Sequence, residues 1–156
     1  MKKWWVTALF IFSPIILGFL ISIPLGIPEK YALLQKPPLS PPPILFPIVW
    51  TILYLLMGLG SYIAYKSALN NNTPISEPLT PYIIQLLFNF LWTPVFFGFR
   101  NYLLGAIISL IIIVFLIWTI IEFFKLNRFS AYIQLPYLLW SVFASYLSFG
   151  VFFLNM

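Results

Sequence analysis

The chain has 156 residues and a formal net charge of +5; 62% of its residues are hydrophobic, 21% aromatic and only 7% charged. Soluble domains run near a quarter charged, and so short a chain could not hide this much apolar surface from water, so lipid is the expected solvent. Cysteine and histidine are absent and the only acids are Glu29, Glu77 and Glu122, which argues against disulfides, thiolate nucleophiles, metal sites, bound cofactors and paired-carboxylate catalysis.

Crossing about 30 Å of hydrocarbon takes roughly 20 apolar residues. Five stretches qualify, so the expected fold is an all-α integral membrane protein, a five-transmembrane-helix bundle forming one domain over residues 1–156. The first span, about 4–26, follows Lys2 and Lys3. It reads as a retained helix, because a signal peptide has a shorter apolar core and a small-residue cleavage site. Pro14 is expected to interrupt it and Pro24 to end it. Residues 27–43 carry Pro28, Pro37, Pro38, Pro41, Pro42 and Pro43. Fixed φ angles and missing donors should forbid a regular helix there and make the segment a stiff lid.

The second span, about 44–66, ends before a loop that includes Asn70-Asn71-Asn72-Thr73-Pro74. The third, about 79–99, turns tightly at Arg100-Asn101 into the fourth, about 102–124. Residues 125–128 link to the fifth, about 129–154. Such short links make neighbouring spans antiparallel. Lys2, Lys3, Lys66, Lys125 and Arg128 then share one side, against Lys30, Lys36 and Arg100 on the other. That bias predicts a cytoplasmic N-terminus, and the basic residues are too dispersed for nucleic acid.

Polar side chains within spans should face a partner helix or a cavity. Gln85, Asn89 and Trp92 fall on one face of span three, at i, i+4 and i+7. Interhelical hydrogen bonding is the favoured reading, and a ligand-cavity wall the other. Trp50, Tyr54 and Met57 repeat that spacing in span two, and Trp140, Phe143, Ala144 and Leu147 line one face of span five. Tyr137, Ser141, Ser145 and Ser148 form a polar seam beside that face. Trp4, Trp5 and Trp118 fit interfacial anchors. Gly18, Ser22 and Gly26, like Gly60 and Ala64, recur at the spacing of close helix packing. Glu122 and Lys125 fit a local i, i+3 pair.

Three blocks carry a resemblance: YALLQKPPLSPPPILFPIVWTILYLLMGLGSY over 31–62, QLLFNFLWTPVFFGFRN from Gln85, and LPYLLWSVFASYLSF over 135–149. Together they resemble the translocator protein family, also called TspO/MBR or tryptophan-rich sensory proteins, over nearly the whole chain. The resemblance implies a five-helix membrane protein, often a homodimer. It also implies binding of tetrapyrroles such as protoporphyrin IX, and of hydrophobic drug-like ligands, in a pocket between the helices beneath loop one. By motif position that pocket would include Tyr31, Pro42, Trp50, Asn89, Trp92, Trp140, Phe143 and Ala144. Tyr54 adds an aromatic face beside Trp50, and Gln85 a second amide beside Asn89. Lys30, Lys36 and Arg100 would attract propionates if they are more than ordinary loop charges.

Two features depart from the family pattern. The loop reads Pro38-Leu39-Ser40-Pro41-Pro42, without the family's loop tryptophan. No basic residue follows Leu147, so a cholesterol-recognition pattern is absent and cholesterol is unsupported. The expected function is ligand binding for sensing, transport or stress regulation. Light-dependent degradation of protoporphyrin IX, using Trp50 and Trp140, ranks second. A small-molecule transporter of another family ranks third, because five spans do not divide into paired repeats. The expected location is a bacterial plasma membrane.

Overall fold

The computed structural model describes residues 4–156; Lys2 and Lys3, which weigh in the expected orientation, lie outside the described residues. The helices are α1 (Trp4–Ser22), α2 (Ile27–Ala32), α3 (Leu45–Asn70), α4 (Ser76–Thr93), α5 (Tyr102–Leu126), α6 (Arg128–Tyr132) and α7 (Leu135–Leu154). With their short extensions they give five segments long and apolar enough to cross a membrane: Trp4–Leu25, Leu45–Asn70, Ser76–Gly98, Tyr102–Leu126 and Arg128–Leu154. The expected five-helix bundle is therefore observed.

Proline departs from expectation at Pro14 and in the lid, and it divides span five, which was expected as one helix. Pro14 does not interrupt α1 but sits buried inside a continuous helix, and Pro81 does the same in α4. Membrane helices tolerate this because neighbouring helices and local adjustments satisfy the freed carbonyls. The lid segment does contain a helix, α2, because Pro28 falls in its first turn, where no amide donor is needed. Span five is two helices: Pro136, one residue into α7, would clash with the Tyr132 carbonyl four residues back, and the chain turns at Ile133–Gln134.

The bundle is organised around α5, which packs on α4 and α7, while α1 packs on α3. Where α1 crosses α3, a Cβ on Gly58 would stand 2.5 Å from the Phe10 carbonyl oxygen and 2.7 Å from Ile11 Cα. Only glycine fits so close a backbone approach. The core holds Met57, Leu116, Phe123 and Tyr137, all fully buried. The outward faces are apolar: Leu139 is 73% and Leu87 62% exposed, as lipid contact requires. Trp4, Trp5 and Trp118 are exposed, as interfacial anchors are, and Glu122 accepts from both Lys125 (2.8 Å) and Trp118 Nε1 (3.1 Å).

A cavity under a clasped lid

A cavity of about 630 Å³ lies beneath the lid, between the lid-side ends of α1, α3 and α4. α1 contributes Gly18, Phe19 and Ser22; α2 contributes Ile27, Pro28, Glu29 and Tyr31. From α3 come Phe46, Pro47, Trp50 and Tyr54, and from the end of α4 come Trp92 and Thr93. Two of its lining residues, Ile23 and Ile44, are largely exposed, at 72% and 68%.

Four of the expected ligand residues therefore share one space: Tyr31, Trp50, Tyr54 and Trp92. Trp50 stacks at a tilt on Tyr54, with ring centroids 5.4 Å apart, and Trp92 stacks on Phe96 at 4.8 Å. The Gly18–Ser22–Gly26 stripe, which reads from spacing as close packing, lines the cavity throughout its length. Its small side chains leave room as well as letting Tyr54 approach Gly18.

The other expected residues stand elsewhere. Pro42 is off the cavity wall, where its neighbour Pro43 takes the place. Trp140 and Phe143 pair with each other at 5.5 Å, and the ring of Phe46, 6.1 Å from Trp140, belongs to the wall. Phe46 thus stands where Trp140 was expected. Asn89 and Ala144, with Trp50, Trp92, Ser109 and Ser141, line a separate chamber of about 20 Å³, room for little more than one water molecule.

Gln85 and Asn89 serve mainly as interhelical links. Tyr54 donates to Asn89 Oδ1 at 2.9 Å; Asn89 Nδ2 donates to Tyr137 at 2.8 Å; and Tyr137 donates to Gln85 Oε1 at 2.9 Å. The chain crosses α3, α4 and α7 in the buried core. The seam on α7 is also used: Ser109 on α5 donates to Ser145 at 3.0 Å. Trp92 Nε1 is buried with no acceptor among the described residues.

The lid is fixed by polar contacts of its own. Lys36 Nζ donates to the carbonyls of Tyr31 (3.1 Å) and Leu34 (2.9 Å) and lies over the Tyr31 ring. Tyr31 donates to the Pro41 carbonyl at 2.8 Å, and burial raises its pKa, so it remains a donor at neutral pH. Asn155, just past α7, accepts from the Gln35 amide (3.0 Å) and donates to the Gln35 carbonyl (2.8 Å), as a neighbouring strand would. Tyr146 donates to the Pro38 carbonyl at 2.8 Å, and Pro37 packs where a side chain on Gly150 would sit.

Lys36 is thus committed to the lid, and neither Lys30 nor Arg100 lines the cavity. The three cations are not gathered at one site. Asn155→Ala is expected to weaken the clasp by about 1 kcal/mol, read as severalfold faster hydrogen exchange at the Gln35 amide.

A model of the TspO/MBR family matches residues 8–154. The chain is 37% identical over 125 residues to the tryptophan-rich protein TspO of Archaeoglobus fulgidus, covering 80% of this chain and 79% of the relative. It is 36% identical over 127 residues to the tryptophan-rich sensory protein of Cereibacter sphaeroides, covering 81% and 77%. The human translocator protein is 33% identical over 121 residues, covering 78% and 72%. With five apolar spans in order and these matches along most of its length, the chain belongs to the TspO/MBR family of integral membrane proteins.

Proposed function

We propose that this protein binds large, flat, apolar small molecules, tetrapyrroles foremost, in the cavity beneath the lid, in the service of sensing, transport or stress regulation. The observation that carries this reading is the cavity itself: about 630 Å³, with Trp50, Tyr54 and Trp92 in its wall. Ligand sites typically run from about 300 to 1,000 Å³ and combine apolar walls with a few polar groups. The hydroxyl-bearing wall residues Ser22, Tyr31 and Thr93 supply such groups. Aromatic faces suit a planar macrocycle, since stacking adds about 0.5–1.5 kcal/mol per ring beyond burial.

Titrating the detergent-purified protein with protoporphyrin IX in the dark, while following tryptophan fluorescence, tests this. Saturable quenching is expected. Trp50→Phe, which alters the wall, should weaken binding about three- to tenfold by the loss of stacking area. Trp140→Phe, behind Phe46, should change it little. Absence of saturable quenching would sink the reading. Illuminating the complex addresses the second function. Trp50, on the wall, would be the indole next to a photoexcited macrocycle. Light-driven loss of the porphyrin spectrum that Trp50→Phe abolishes would make the protein an enzyme.

The excess of Lys2, Lys3, Lys66, Lys125 and Arg128 over Lys30, Lys36 and Arg100 supports a cytoplasmic N-terminus, and a bacterial plasma membrane is the location we propose.

A further inference from the structure

We propose that the small chamber sharing Trp50 and Trp92 with the lid cavity is a binding site for one water molecule, bridging the Trp92 indole of α4 and the Ser141 hydroxyl of α7. The inference does not depend on what the lid cavity binds. A buried water needs roughly 10–15 Å³ of room and two to four polar partners. The chamber offers about 20 Å³. Its wall includes four residues with polar side-chain groups to give: Asn89, Trp92, Ser109 and Ser141.

Two of these residues have unmet demands. Trp92 Nε1 and Ser141 Oγ are buried with no hydrogen-bond partner among the described residues. Serines in these spans commonly donate to a carbonyl one turn back in their own helix, as Ser61 does to Gly58, Ser109 to Ala106 and Ser148 to Ala144. Ser141, only 5% exposed, makes no such bond. A donor and a hydroxyl left unmet in a membrane core cost their full desolvation, and lipid offers nothing to repair it.

The other two residues have capacity left over. Asn89 spends one lone pair of Oδ1 on Tyr54 and one N–H on Tyr137. An amide has two of each, so one acceptor site and one donor site remain. The Ser109 hydroxyl directs its proton to Ala106 and Ser145 and keeps a lone pair. A water molecule can accept from Trp92 and from Ser141 or Asn89, and donate to the remaining lone pairs. It thereby adds a second polar link between α4 and α7, beside the Asn89–Tyr137 bond. Chambers that stay dry are apolar, and this one is not.

Nuclear magnetic resonance of the detergent-solubilised protein, with tryptophan labelled at the indole nitrogen, tests this. The chain has six indoles, and Trp92→Phe identifies the signal of interest. The wild-type Trp92 indole proton should show a cross-peak to water, with opposite signs in the NOE and ROE experiments, as for a long-held water. Ser141→Ala should keep the cross-peak, since Trp92, Asn89 and Ser109 still hold the water. Ala144→Val fills the chamber and leaves every polar group in place, so it should abolish the cross-peak and shift the indole proton upfield. Ser141→Val, filling the chamber from the adjoining turn of α7, should do the same. Melting curves check that each variant folds.

A wild-type Trp92 signal without a water cross-peak would overturn the proposal. Loss of the cross-peak in Ser141→Ala would overturn it too, by showing magnetisation relayed through the serine hydroxyl alone. So would a cross-peak that survives in a folded chamber-filling variant, because the water would then lie elsewhere.

Discussion

Gly58→Ala is expected to lower the stability of the bundle by about 1 kcal/mol, and by up to about 2 kcal/mol if α1 cannot shift. The added methyl would stand 2.5 Å from the Phe10 carbonyl oxygen and 2.7 Å from Ile11 Cα, and both are backbone atoms of α1. Backbone cannot rotate aside as a side chain can, so α1 must move as a body. Overpacking of this kind costs about 1–3 kcal/mol. Alanine's better helix propensity recovers only about 1 kcal/mol. The clash wins. Melting in detergent, followed by tryptophan fluorescence, should show the loss as a clearly lower midpoint. Because Gly18, Phe19 and Ser22 of the same α1 line the cavity, ligand affinity should fall with it. An unchanged or raised midpoint would mean that α1 and α3 do not meet at Gly58.

Asn89→Leu is the second large effect, at about 2–3 kcal/mol. The substitution removes the acceptor of the Tyr54 hydroxyl and the donor to Tyr137 together. Interhelical hydrogen bonds in membrane proteins average about 0.6 kcal/mol and reach about 1.7. The further loss comes from leaving the Tyr54 hydroxyl without a partner in the core. That part can be isolated. Tyr54→Phe combined with Asn89→Leu should cost less than the sum of the two single changes, since it removes the stranded hydroxyl along with its acceptor. Strictly additive losses would show that the Tyr54–Asn89 bond carries no coupling.

Much of the architecture was legible because hydropathy is a direct physical requirement of the bilayer. Five runs of sufficient length, broken by proline and asparagine, leave little choice of fold, and the spans appear in the expected order. The errors came from applying soluble-helix rules to proline. Pro14, expected to interrupt α1, stays inside it because the surrounding bundle, and not water, settles its freed carbonyl. Leu39 gave no local warning that it would adopt φ 68°, a strained conformation for a leucine, at the lid turn.

Part of the cavity wall was legible. Helical spacing correctly grouped Trp50 with Tyr54, and Gln85 with Asn89, because residues four apart share a face. Spacing does not say which neighbour that face meets. Trp140 and Phe143 share a face on α7, yet neither lines the cavity, and Phe46, whose ring lies 6.1 Å from that of Trp140, does. The α1 wall was missed because small residues look the same whether they admit another backbone or leave a space. Glu29 figured in the sequence only as one of three acids, since its place on the wall depends on α2, which the lid's proline content had argued against.

The clasp joining Gln35 to Asn155 spans 120 residues of sequence, and this orders events while the chain is being made. Domains emerge from the ribosome N-terminal end first. The first three spans, which wall the cavity, enter the membrane long before the residue that pins the lid has been added. A newly made molecule therefore passes through an interval with its cavity walled and its cover unfastened. That interval ends only when the fifth span is in place.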